Sequence, residues 1–138
     1  MKPQSPQRNE FKSIEKYPFN DITERIISCA LEVHTALGPG LLENIYEEAM
    51  AHELNLRDID FIRQKELQIQ YKGHNVGNYR LDFLVEEKIV VELKSIEIVR
   101  GIHIAQLLTY MRAENLRIGL LINFNVERLK DGLKRVIL

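Results

Sequence analysis

The stretch Arg80-Leu81-Asp82-Phe83-Leu84-Val85-Glu86-Glu87-Lys88-Ile89-Val90-Val91-Glu92-Leu93-Lys94-Ser95 decides how the chain folds. It divides into two strands joined by a short charged turn, Glu86-Glu87-Lys88. The first strand alternates, with Leu81, Phe83 and Val85 expected on one face and Asp82 and Leu84 on the other. The second, Ile89 to Leu93, is nearly all aliphatic, the pattern of an interior strand covered on both faces. Glu92 and Lys94 stand at its end, two residues apart and therefore on one face. Charges on a buried strand are costly, so something must compensate them.

The segments around this pair have a clear order. Residues 1–18 carry Pro3, Pro6 and Pro18 among polar residues and read as a loose arm; residues 19–138 read as one domain. A first helix is predicted from Asp21, with Asp21 and Glu24 as a capping box, to the breaker Gly38-Pro39-Gly40. Cys29 on that helix reads as packing. A second helix is predicted from about Leu41 to Leu54, with Glu43 in its first turn and Tyr46, Glu47 and Met50 along one stripe. The period then changes to two from Phe61 to Tyr71, followed by a tight turn at Lys72-Gly73 and a return strand from His74 to Val85. A third helix is predicted over about Ile102 to Asn115, placing His103, Gln106 and Tyr110 side by side. The short apolar run Ile118 to Ile122 completes a βαβ unit, so it should lie parallel to Ile89–Leu93. The tail segment Asn123 to Leu138 is amphipathic and reads as a strand extension plus a frayed helix, or as a partner surface, with Val126 to Leu138 the candidate face of a homodimer. The fold class is α/β, with a mixed central sheet of about four strands flanked by helices.

Bulk properties narrow the function. The 138 residues suffice for a domain with a real core; 45% are hydrophobic and 28% charged. A net charge of −1 provides no global attraction for nucleic acid, so any such contact needs a local patch. The single cysteine leaves no intrachain disulfide and fits a reducing compartment. No apolar run reaches the ~20 residues of a membrane span, and cytoplasm is the default location.

The chemistry depends on the turn. If Asp82 lies opposite Glu92, both carboxylates share a face; a shift of one residue sends them apart. The turn contains no glycine or asparagine to fix its type, so the register stays open in the sequence. Two carboxylates on one face repel unless a cation binds between them, and oxygen donors suit Mg²⁺ or Mn²⁺. Glu43 or Glu47 is placed to support such a site, with Lys94 beside it and Gln106 and Tyr110 on the following helix. The competing reading is a buried salt bridge joining Glu92 or Asp82 to Lys94 or Arg80.

The ordered set of Asp82, Glu92-Leu93-Lys94 and Gln106-Leu-Leu-Thr-Tyr110 resembles the PD-(D/E)XK nuclease superfamily, the last element being similar to its RecB-like branch. Gly40-Leu-Leu-Glu43-Asn-Ile-Tyr46 is similar to the signature of the GxxExxY family. The resemblance implies a restriction-endonuclease-like αβββαβ core and a divalent-metal site. In that site Asp82, Glu92 and the carbonyl of Leu93 are ligands, Lys94 is catalytic, Glu43 supports the metal and Gln106 is accessory. Tyr110, His34 and Tyr46 are carried as substrate contacts. Leu81 stands where the motif has proline. The implied activity is metal-dependent hydrolysis of DNA, with RNA a lesser candidate; the alternative is a catalytically idle module that binds nucleic acid or protein on the same fold.

Overall fold

A computed structural model describes residues 19–138, so the predicted arm of residues 1–18 lies outside the described residues. The elements are α1 (Asn20–Leu37), α2 (Glu43–Leu56), β1 (Phe61–Tyr71), β2 (His74–Val85), β3 (Ile89–Lys94), α3 (Gly101–Ala113), β4 (Ile118–Asn123), a 3₁₀ turn (Leu129–Gly132) and β5 (Leu133–Ile137). Among the described residues, no helix is long and apolar enough to cross a membrane.

The strands form one sheet in the order β1-β2-β3-β4-β5. β3 and β4 pair in parallel around the α3 crossover; the other neighbours are antiparallel. The sheet therefore has five strands where about four were expected. The tail supplies the fifth: after a 3₁₀ turn it returns along β4 as an edge strand, not as a helix. Its aliphatic residues serve both faces, with Leu133 and Ile137 against one core cluster and Val136 against the other.

Alternation along β3 and β4 separates two cores. Ile89, Val91, Leu93, Ile118, Leu120 and Ile122 pack with α1 and α2, while Val90 and Leu121 pack with α3. Cys29 lies in the first core, as its pattern suggested, and burial pushes its thiol up. The capping box predicted for α1 does not form: the helix begins at Asn20 after a left-handed Phe19, with no side-chain cap. The stop at Gly38-Pro39-Gly40 is real, and Gly38 and Gly40 take φ of 71° and 99°.

One feature of the β1–β2 ribbon departs from simple alternation. Phe83 and Val85 pack toward α1 and α2, whereas Leu81 belongs to the α3 cluster. The partner strand does the same: Arg63 pairs with Glu47 and Glu48 of α2, but Lys65 pairs with Glu114 at the end of α3. The ribbon thus changes faces between these residues. At the change Gln64 adopts φ 55° inside β1, a left-handed conformation costing roughly 1–2 kcal/mol for a residue with a side chain.

Gly132, before β5, touches the backbone of β4 closely enough that a Cβ would be driven into the carbonyl oxygen of Asn123. Gly132→Ala should therefore loosen β5 and cost about 1–3 kcal/mol, read as a lower denaturation midpoint with an unchanged slope.

Candidate active site

The turn between β2 and β3 fixes the site. Glu86 and Glu87 take φ of 53° and 59°, and Lys88 donates its N–H to Val85 O at 3.0 Å. Neither glutamate favours this conformation. Glu86 is held by Asp60: its N–H donates to Asp60 O at 2.9 Å, and its Oε2 accepts the Asp60 N–H at 3.1 Å. With three residues in the connection, Val85, Leu84 and Phe83 face Ile89, Val90 and Val91. Continuing that register puts Asp82 opposite Glu92, the arrangement that brings both carboxylates to one place.

There the backbone ladder ends and the side chains take over. Glu92 Oε2 accepts the backbone N–H of Asp82 at 2.8 Å, and Asp82 Oδ2 accepts the backbone N–H of Leu93 at 2.7 Å. Each carboxylate thus binds the other's strand. Glu92 is only 8% exposed. Burial raises the pKa of Glu92, and the charge of Asp82 raises it further. The Asp82 pKa rises from burial and from the charges of Glu47 and Glu43, against the hydrogen bond from Leu93. Tyr110 of α3 is buried beside them; desolvation and the charge of Glu92 push its hydroxyl up to about 12.

Several bonds carry the helices to this point. Ser95, just past β3, donates its hydroxyl to Leu41 O at 2.5 Å, holding the start of α2, and hence Glu43, against the strand end. The buried Asn123 side chain accepts from Ile96 N–H at 3.0 Å and donates to Ile96 O at 2.9 Å, fixing the chain beyond Lys94. Glu47 is held by Arg63 at 2.7 Å and accepts from Gln64 Nε2 at 3.0 Å; the same nitrogen donates to Asp82 Oδ1 at 3.3 Å. Glu43 and Gln106 are exposed, and Lys94 is half-buried.

The salt-bridge alternative is not built: among the described residues no ion pair involves Asp82, Glu92 or Lys94, and Arg80 pairs with Glu66. Lys94 acts on Glu92 through its charge alone, lowering its pKa. Two residues carried as substrate contacts are buried. Tyr46 has no exposed surface; its hydroxyl donates to Gly38 O and accepts from Leu41 N–H, and its ring stacks on Phe124 at 4.5 Å. His34 is buried with Nε2 against Val126 O at 2.8 Å. Both side chains are engaged inside the fold, Tyr46 at the turn before α2 and His34 at the loop after β4.

The sequence matches the family model of the PD-(D/E)XK nuclease superfamily over residues 20–136. The protein belongs to that superfamily. No curated protein and no solved structure matches the chain. The matched region includes β2 and β3, the two strands whose register was open in the sequence, and with them Asp82 and Glu92-Leu93-Lys94.

The donor set fits a divalent cation. Two desolvated carboxylates converge, burial raises the pKa of both, the charge of Asp82 raises that of Glu92 further, and Glu92 Oε1 accepts no hydrogen bond from the described residues. No group of three His, Cys, Asp or Glu side chains closes together among the described residues, so the protein presents two side-chain carboxylates, with Glu43 and Glu47 acting by charge.

Two predictions follow from this geometry. A carboxylate with a raised folded pKa binds protons more tightly when folded, so stability is lost as pH rises above the ordinary carboxylate range. Metal-free protein should melt at a higher temperature near about pH 6 than near about pH 8.5, and Glu92→Gln should flatten that dependence in calorimetry. Tyr46→Phe should lower stability by about 1–2 kcal/mol, because two bonds at the turn lose their hydroxyl, while activity per folded molecule stays unchanged.

Proposed function

We propose that this protein is a divalent-metal-dependent nuclease that hydrolyses phosphodiester bonds, with DNA the favoured substrate over RNA. The observation that carries this reading is the reciprocal pairing of Asp82 and Glu92 beside a Lys94 that has no ion-pair partner among the described residues. Asp82, Glu92 and the carbonyl of Leu93 hold Mg²⁺ or Mn²⁺. When bound, the cation supplies a Lewis acid for the phosphate and eases ionisation of water. Lys94 orients the attacking water and faces the negative charge that grows on the phosphate oxygens. Water adds to phosphorus, the bond to the leaving oxygen breaks, and a phosphate monoester and a hydroxyl result. Glu43 and Glu47 add negative charge from α2 and strengthen cation binding. Tyr110 of α3 lies close enough to Glu92 and Asp82 to feel their charges, and in this reading it and Gln106, four residues before it on the same helix, contact the water or the substrate.

Incubation with single- and double-stranded DNA and RNA, with Mg²⁺ or Mn²⁺, tests this directly. Cleavage should stop with chelator, and Asp82→Ala or Lys94→Ala should reduce it by at least about 10²–10³-fold. Activity surviving both substitutions would refute the assignment. Salt-sensitive binding without turnover by either metal would instead identify a binding module on the nuclease fold.

A further inference from the structure

The left-handed residue in β1 stands at the same level of the sheet as the two carboxylates. Arg63 and Lys65 pair with Phe83 and Leu81, so Gln64 is the residue opposite Asp82. Its φ of 55° is unusual inside a strand, and it has neither the glycine nor the asparagine character that tolerates it. Strain of this kind persists only where surrounding structure enforces it, and it clusters at functional sites. Here both neighbours are tied to different helices, Arg63 to α2 and Lys65 to Glu114. The side chain between them meets two carboxylates.

We propose that Gln64 is a positioning residue of the nuclease site: its carboxamide ties Asp82 to Glu47 and fixes the direction in which Asp82 presents its carboxylate to the cation. The proposal rests on the metal-dependent reading above. Asp82 is gripped from two sides, Oδ2 by the Leu93 N–H at 2.7 Å and Oδ1 by Gln64 at 3.3 Å. Gln64 in turn bears on Glu47, itself clamped by Arg63 at 2.7 Å, so the aspartate is connected to the body of α2.

Glutamine suits the task. Its amide nitrogen carries two hydrogens for two carboxylates and adds no charge. Lysine or arginine in its place would neutralise Asp82 and compete with a cation. Glutamate would add a further negative charge with no donor. Asparagine keeps the tolerance for a left-handed backbone but is one methylene too short to span Glu47 and Asp82. It therefore separates the backbone role of this position from its side-chain role.

The test uses the full chain with Gln64→Asn and Gln64→Ala. Amide hydrogen exchange of Leu93 in the metal-free protein reports the grip on Asp82 without any cation. Titration with Mn²⁺ reports the site, and melting reports the fold. Both variants should speed Leu93 exchange and weaken Mn²⁺ binding, each by about tenfold, the size of effect seen when a partner of a metal ligand is lost. Exchange at Val91 and Leu120 should not change, and Gln64→Asn should melt no lower than the parent. Leu93 exchange within twofold of the parent would overturn the proposal. So would faster exchange throughout β3 and β4 with a matching fall in melting temperature, which marks a purely structural residue. Asp82→Ala serves as the control. If it abolishes Mn²⁺ binding while Gln64→Asn leaves binding intact, this inference fails and the nuclease reading stands. If the parent neither binds Mn²⁺ nor cleaves, the nuclease reading fails, and a Gln64 with no cation to serve falls with it.

Discussion

Two hydrogen bonds, from Asp82 N–H to Glu92 and from Leu93 N–H to Asp82, hold the centre of this molecule together. They replace the backbone ladder where β2 and β3 part. Without them the strand ends would leave unpaired amides next to the core, and buried amides must find partners. Supplying carboxylates for this purpose solves one problem and creates another. Two acids are held together in a poorly solvated place, where their charges repel and their pKa values rise. The fold therefore contains an electrostatic conflict, which the proposed divalent cation would relieve through its charge and its preference for oxygen.

The rest of the structure holds that conflict in place. Ser95 ties β3 to the start of α2, Asn123 ties the segment beyond Lys94 to β4, and Tyr46 locks the turn from which α2 begins. All are bonds between a side chain and a backbone group; those of Ser95 and Asn123 reach 54 and 27 residues along the chain and involve residues that ordinary pattern reading leaves unremarked. Their shared effect is to bring two helices and two strand ends to one point with little freedom to drift, which is what a site built for charge stabilisation requires.

Three left-handed residues bear on this site, two by setting its register and one by lying opposite Asp82. Glu86 and Glu87 in the turn, and Gln64 in β1, all occupy conformations that their side chains disfavour. The turn is enforced by Asp60 and the β1 residue by ion pairs to opposite faces of the sheet. A sequence chosen for stability alone would place glycine or asparagine in the turn, and would not bury Glu92.

The sequence by itself determined the order of the elements, the buried character of β3 and β4 and the parallel βαβ unit, and it singled out Asp82, Glu92 and Lys94 as the candidate site. All of these are encoded locally, in side-chain period, in helix breakers such as Gly38-Pro39-Gly40 and in charges placed where apolar residues belong. Tertiary structure decided the register of β2 on β3, because Glu86-Glu87-Lys88 has no intrinsic turn preference and takes its shape from Asp60. It also decided that the tail is a fifth strand, since an amphipathic segment of that length satisfies either period until an edge of the sheet is available to it. The burial of Tyr46 and His34, and the left-handed Gln64 between Asp82 and Glu47, were likewise settled only by packing. In the sequence Gln64 is one polar residue among several alternating along a strand; its two carboxylate partners lie 17 and 18 residues away along the chain.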